Sequence, residues 1–203
     1  ECATLTVPLD WDDRAGATIP ISVSRMPATD PDERLGSVFF NPGGPGQPGT
    51  SWLRDFLAAG RLPSGLDSRF DLVSWDPRGT GDSAGIRCTT EDQLLSPDTD
   101  PTIEDQADID AIAADSAEFL AGCEAQAGDR LDLVGTRNTV RDLDALREAV
   151  GDDGLNYVGY SYGTTIGTEY LRMFPGSVRA MVLDGVSIPG GDPVEDTFLQ
   201  GQS

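Results

Sequence analysis

The segment LNYVGYSYGTTIGTEYLRMF, residues 155–174, decides the fold. Its first part, Leu155–Tyr160, is mostly apolar and aromatic, as in a buried strand, and the residues after Ser161 have helical spacing. Gly159 and Gly163 flank the serine at two residues on either side, where a Cβ would tend to clash across a sharp turn. The segment therefore predicts a strand, a tight turn and a helix, with the Ser161 hydroxyl at the carboxyl edge of a sheet.

The same alternation of strands and helices extends outward in both directions. The chain opens on a predicted hairpin and continues with strands and helices separated by turns rich in Gly and Pro. The predicted strands are Cys2–Val7, Thr18–Ser24, Ser37–Phe40, Phe70–Trp75 and Val178–Leu183, and the predicted helices are Thr50–Ala59, Thr102–Ala127 and Thr136–Val150. This order is typical of an α/β fold with a mostly parallel sheet and helices on both faces.

The G-x-S-x-G pattern makes Ser161 a candidate nucleophile, because it lies between an apolar strand and a helix. A serine that attacks an acyl carbon also needs N–H donors for the oxyanion that forms. The backbone N–H of Tyr162 is one candidate donor. The loop Asn41-Pro-Gly-Gly-Pro-Gly46 follows an earlier strand, so Gly43 or Gly44 is the candidate for the second.

Two glycine loops have other interpretations as well. The loop at 41–46 could be a structural Gly-Pro turn, whereas a phosphate cradle is disfavoured because no Lys or Ser/Thr completes it. The loop Asp76–Ser83 is more typical of a scaffold, with Arg78 in an ion pair and Asp82 or Ser83 capping a turn. The alternative is that it lines the cleft.

The charge of the chain excludes some classes of partner. The 203 residues hold 35 acidic and 14 basic residues, for a net charge of −21, so nucleic acids and anionic membranes should be repelled. No apolar run is long enough to predict a membrane span. The acidic run Asp98–Asp115 is interpreted as a solvated helix face and its flanking loop, with a cation site as the alternative. Apart from that alternative, the sequence gives no indication of a cofactor or metal.

Three cysteines at 2, 88 and 123 contain no CxxC pair, so a zinc site has little support. Disulfide pairing is favoured over three buried free thiols. If Cys88 pairs with Cys123, the bond requires an oxidising compartment, and Cys2 needs a partner outside this chain.

Four motifs together resemble the secreted bacterial tripeptidyl aminopeptidases, a branch of the proline-iminopeptidase-like serine peptidases with the α/β-hydrolase fold. They are Asn41–Gly46, Asp76-Pro-Arg-Gly79, Gly159–Gly163 and Leu183-Asp-Gly-Val186. The opening stretch and the placement of Cys88 and Cys123 are similar too. The resemblance implies an exported enzyme that releases short peptides from free N-termini through an acyl-enzyme. An esterase or amidase of the same fold and a non-catalytic binding module are the alternatives.

The sequence departs from that family in its catalytic partners. The triad of this fold runs serine, acid, histidine, and the chain contains no His. Asp184 is a candidate acid, although the family takes its acid from a later strand. We therefore expect residues 1–188 to form the N-terminal part of the core and 189–203 to begin a lid or a truncated connection. The lid, the last strands and the catalytic Asp and His would lie in a missing C-terminal half of the same polypeptide, and the chain alone would be inactive.

Overall fold

A computed structural model describes residues 1–88 and 103–186 of the chain. Its strands are β1 Cys2–Pro8, β2 Thr18–Met26, β3 Gly36–Asn41, β4 Phe70–Trp75, β5 Leu155–Tyr160 and β6 Val178–Asp184. Its α-helices are α1 Gly49–Ala58, α2 Leu66–Arg69, α3 Gln106–Ala127, α4 Thr136–Ala149 and α5 Tyr162–Met173. The predicted start of a lid or connection at 189–203 lies outside the described residues.

The strands form one mixed sheet in the order β1-β2-β4-β3-β5-β6. The predicted hairpin of β1 and β2 is confirmed as an antiparallel pair, and β2 also runs antiparallel to β4. The other neighbours, β4 with β3, β3 with β5 and β5 with β6, are parallel. Because β3, β4 and β5 are parallel and adjacent, the loops that follow them meet at one carboxyl edge of the sheet.

Helices cover both faces of the sheet, as predicted. Alternate strand residues point to opposite faces, so each strand contributes to two separate clusters. The larger cluster joins the strands to α4 and α5 and includes Phe39, Val73, Trp75, Leu155, Tyr157, Val140, Leu143, Leu146, Ile166 and Tyr170. The smaller one joins Val38, Phe40 and Leu72 to Leu53 of α1. Within α4, Val140, Leu143 and Leu146 are buried against the sheet.

The long helix α3 begins later than the sequence predicts. Asp105 is its N-cap: the carboxylate accepts the N–H groups of Ala107 and Asp108, and Asp108 accepts the Asp105 N–H in return. Such a reciprocal cap satisfies donors that the first turn leaves unpaired, which fixes the start of the helix there. Within α3, Cys123 and Ala127 are buried, whereas Phe119 and Leu120 are exposed.

A disulfide joins Cys88, in the loop that follows β4, to Cys123 of α3, with a sequence separation of 35 residues. The pairing favoured from the sequence is confirmed. Cys2 is a free, exposed thiol.

Replacing both Cys88 and Cys123 by serine is expected to lower the free energy of unfolding of the full-length protein by roughly 4 kcal/mol, because a loop of that length is released in the unfolded chain. Thermal unfolding of the double variant measures the effect. Ala113→Ser, at an exposed position of α3, is the control and should change the unfolding temperature far less. An unchanged unfolding temperature for the double variant would contradict a stabilising role.

Arg78 forms the ion pair that was predicted for the loop after β4. Its side chain and that of Asp142 on α4 are both fully buried, and two hydrogen bonds of 2.7 Å join them. The remaining guanidinium donors bind the carbonyl oxygens of Pro8, Leu9 and Leu133 at 2.8 to 3.2 Å. Arg78 therefore ties the end of β1, the segment before α4 and the middle of α4 to the loop after β4, as a scaffold residue would.

Candidate active site

Ser161 occupies the turn between β5 and α5 in a strained backbone conformation, with φ 51° and ψ −122°. Its N–H donates to the carbonyl oxygen of Asp184 at the end of β6, at 2.9 Å. Its own carbonyl oxygen accepts the N–H and the hydroxyl of Thr164 at 2.8 and 2.7 Å. A non-glycine residue in this region is uncommon and costs about 1–3 kcal/mol, so these contacts hold the serine against strain.

The two glycines of the motif are needed for close packing, as the sequence predicts. A Cβ at Gly159 would lie 2.5 Å from the carbonyl oxygen of Gly163. A Cβ at Gly163 would lie 2.8 Å from the carbonyl oxygen of Asn41. Neither distance is compatible with a real Cβ contact, so the turn is accessible only to glycine at both positions.

The glycine loop after β3 packs directly on this turn. The register pairs Asn41 with Gly159 across β3 and β5, which brings the two strand ends side by side. Gly43 has φ 96°, and a Cβ there would lie 2.5 Å from the carbonyl oxygen of Tyr160 and 3.0 Å from the Cβ of Ser161. The backbone of the loop can approach the serine this closely because Gly43 has no side chain.

The two candidate glycines of the loop differ in their hydrogen bonds. The N–H of Gly43 donates to Oδ1 of Asn41 at 3.0 Å. In the part of the chain that the structure describes, the N–H groups of Gly44 and Tyr162 donate to no protein acceptor. Tyr162 is the first residue of α5, where a backbone N–H has no partner within the helix. The N–H of Tyr162, directly after the serine, and that of Gly44, directly after the glycine that packs on the serine turn, thus have no acceptor among the described residues.

The serine lies between two tyrosines, Tyr160 and Tyr162. The hydroxyl of Tyr162 lies 2.7 Å from Oγ1 of Thr136 at the start of α4. Burial, and to a lesser degree the charge of Asp184, raises the pKa of the Tyr160 phenol above its ordinary value. Tyr160 therefore stays protonated at neutral pH and adds no charge beside the serine.

Sequence reasoning missed Asn41 as a site residue. Its side chain is fully buried, and its amide lies between the glycine loop and Gly163. The signal was a polar residue at the end of the otherwise apolar run Val38-Phe-Phe40, directly before the glycine loop.

The comparison with protein families agrees with this geometry: the family described as "alpha/beta hydrolase fold" matches residues 36–200. The chain belongs to the α/β-hydrolase family. The fold class predicted from the sequence is thereby confirmed. A solved structure of a probable hydrolytic enzyme from Pseudomonas aeruginosa shares this fold, with a TM-score of 0.50 and 12% identity over 90% of this chain and 40% of that one.

Curated relatives of this α/β-hydrolase include peptidases and an esterase. Serine protease Hip1 of Mycobacterium tuberculosis is 40% identical over 99% of this chain and 38% of its own length. The tripeptidyl aminopeptidase of Streptomyces lividans is 37% identical over 96% of this chain and 36% of its own length. Carboxylesterase B of M. tuberculosis is 38% identical over 98% of this chain and 38% of its own length. The predicted resemblance to tripeptidyl aminopeptidases is confirmed, and the chain spans well under half the length of these relatives.

Residues 1–88 and 103–186 of this α/β-hydrolase contain no group of three or more His, Cys, Asp or Glu side chains arranged to hold a metal ion. Among the same residues, no helix has the length and apolar character needed to cross a membrane.

Proposed function

We propose that this α/β-hydrolase is a serine hydrolase of the peptidase type, with Ser161 as its nucleophile. The observation that carries the proposal is the conformation of Ser161, held at φ 51° between β5 and α5 with Gly43 packed against its Cβ. Strain of this kind persists where surrounding contacts enforce it, and it is concentrated at functional sites.

The reaction we propose proceeds through an acyl-enzyme. The Ser161 hydroxyl oxygen attacks the carbonyl carbon of the substrate, and its proton passes to a base. The N–H groups of Tyr162 and Gly44 donate to the oxyanion that forms; Gly43 was the other candidate, and its N–H is engaged by Asn41. Collapse of the intermediate expels the leaving amine or alcohol, which takes up the proton from the base. Water then attacks the acyl-enzyme, loses a proton to the same base and releases the acyl group as a carboxylic acid, and the proton returns to the serine oxygen.

The base and its acid partner are proposed to come from polypeptide outside these 203 residues, which contain no His. Hip1, of which the chain matches 38%, is long enough to supply such residues beyond the matched region. Without a base, a serine site retains the contributions of the oxyanion donors and of binding, about 10³–10⁴-fold over water. We therefore expect negligible turnover from these residues alone.

For the substrate we propose the N-terminal end of a peptide, released as a short peptide. The peptidase names of two relatives with 40% and 37% identity support this class. Hydrolysis of an ester is the second candidate, because the carboxylesterase relative is 38% identical over nearly the whole chain.

We further propose that the protein is exported. The disulfide between Cys88 and Cys123 supports an oxidising compartment.

Reaction of the full-length protein with a fluorophosphonate probe is expected to label Ser161, because the probe reacts with activated serines and its phosphoryl oxygen takes the place of the oxyanion. Peptide mapping by mass spectrometry locates the label. Labelling at another serine, or none in folded protein, would contradict the proposal.

The substrate class is decided by turnover of an N-terminal tripeptide anilide beside a short-chain ester. We expect a higher kcat/KM for the anilide with a free amino terminus than for the same anilide with that amine acetylated. A preference for the ester, with no effect of acetylation, would favour the esterase. Neither outcome changes the expected fluorophosphonate labelling of Ser161, so the substrate class and the identity of the nucleophile are tested separately.

A further inference from the structure

Asn41 is a buried polar side chain at a position that packing alone would give to an apolar residue. It ends β3 after Val38, Phe39 and Phe40, and its exposed fraction is 0%. On its strand it faces the same side of the sheet as Phe39, toward α5. The amide of Asn41 is therefore removed from solvent and surrounded by the two segments that form the site.

One end of the amide is engaged by the glycine loop. Its Oδ1 accepts the N–H of Gly43 at 3.0 Å. A Cβ on Gly163 would lie 3.0 Å from the same Oδ1, so the amide also contacts the start of α5. The side chain is thus clamped between the loop and the nucleophile turn.

The other end of the amide has no partner. Among the described residues, Nδ2 of Asn41 is buried and makes no hydrogen bond. A buried donor without an acceptor destabilises a fold, and an apolar residue of similar volume such as leucine would avoid that cost. A gain in stability therefore does not explain why an asparagine occupies this position. The contact that remains to explain it is the hydrogen bond from the Gly43 N–H to Oδ1.

We propose that Asn41 is a positioning residue that sets the orientation of the Gly43-Gly44 backbone relative to Ser161. By taking the Gly43 N–H, its Oδ1 fixes the peptide plane before Gly43 and leaves the Gly44 N–H for the oxyanion. The inference rests on the proposed function, since it concerns the oxyanion donors of that reaction. In this proposal Asn41 contacts neither the substrate nor the hydroxyl oxygen of Ser161, and it acts through the conformation of the glycine loop.

The test compares Asn41→Ala with wild type in the full-length protein. Loss of one oxyanion donor costs about 10²–10³ in rate, so a donor that is present but misplaced should lower kcat by about 10–100-fold. KM should change little, because the oxyanion forms only in the transition state. A peptide aldehyde, which forms a tetrahedral adduct on the serine, should lose affinity in parallel with kcat, whereas the affinity for the product peptide should not change.

Asn156→Ala is the matched control. Asn156 is also a buried asparagine on a central strand, and its Nδ2 donates to the carbonyl oxygen of Ser37 at 2.8 Å, at the start of β3 and away from the glycine loop. Its loss should lower the unfolding temperature and leave kcat and aldehyde affinity unchanged. Asn41→Ser is the conservative variant, because a serine hydroxyl can accept the N–H two residues on, and it should recover part of kcat.

Three outcomes would overturn the inference. The first is an unchanged kcat in Asn41→Ala, and the second is a fall in kcat that Asn156→Ala reproduces. If Asn41→Ala does not fold, Asn41→Ser is measured in its place. The third outcome is then an Asn41→Ser protein that loses affinity for the aldehyde and for the product peptide equally. Failure of the proposed function is distinguishable, because wild-type protein would then show no fluorophosphonate label at Ser161.

Discussion

Replacing Ser161 by alanine is expected to lower kcat of the full-length protein by on the order of 10⁵–10⁶-fold, because removal of the proposed nucleophile leaves only binding and the proposed oxyanion donors. The variant should also lose all fluorophosphonate labelling. Initial rates on the tripeptide anilide, with an active-site titration of the wild type, measure the effect.

The same position allows a check on backbone strain. Ser161→Gly should be equally inactive yet raise the free energy of unfolding by about 1 kcal/mol, because glycine adopts φ 51° without the cost that serine bears. Ser68→Ala, at a serine of α2 whose hydroxyl binds the carbonyl oxygen of Gly65, is the control and should retain full activity. A Ser161→Ala protein that is folded and retains substantial turnover would exclude Ser161 as the nucleophile.

Replacing Arg78 by alanine is expected to lower the free energy of unfolding by about 3–5 kcal/mol, because it leaves the buried carboxylate of Asp142 without its counter-charge and with the indole N–H of Trp11 as its remaining donor among the described residues. Burial raises the pKa of the Asp142 carboxyl, and the hydrogen bonds from Arg78 oppose that rise. Without Arg78 the pKa in the folded state rises further above its unfolded value. The variant should therefore be least destabilised at acidic pH and lose stability as the pH rises toward neutral.

Two further variants separate the charge effect from packing. The double variant Arg78→Met with Asp142→Leu removes both charges and should recover a large part of the lost stability. Arg54→Ala breaks an exposed ion pair with Asp55, where both side chains are about 70% exposed or more, and should change stability by less than about 1 kcal/mol. Denaturant unfolding at pH 4.5 and pH 7 measures all three. Equal losses for Arg78→Ala and Arg54→Ala would contradict the role of the buried pair.

Most of the secondary structure could be predicted from local pattern, and the differences have local causes. The strand Leu155–Tyr160 is found with the predicted bounds, because its mostly apolar run lies between a turn that contains glycine and the turn that holds Ser161. The helix predicted from Thr102 begins at Gln106, since the side chain of Asp105 satisfies the first free N–H groups. Hydrophobic spacing predicts that a helix exists, whereas capping determines where it starts.

The candidate site could be predicted only in part. Ser161 and Gly159 carry a steric signature that a sequence displays, because a Cβ at Gly159 would clash with Gly163 across the turn, whereas the clash at Gly163 is with Asn41 on another strand. Gly43 and Gly44 could not be distinguished, because the difference depends on the Asn41 amide, which binds one N–H and not the other. That contact depends on loop conformation, which composition does not specify.

By itself, the sequence determined the order of strands and helices and the turn that holds Ser161, because periodicity and the steric demands of glycine act over a few residues. Only the tertiary structure decided which residues meet across the sheet. Arg78 lies 64 positions from Asp142, and Asn41 is placed against Gly163 by the parallel register of β3 with β5. Such pairings follow from burial and from hydrogen bonds between distant segments, which exist only once the chain has folded.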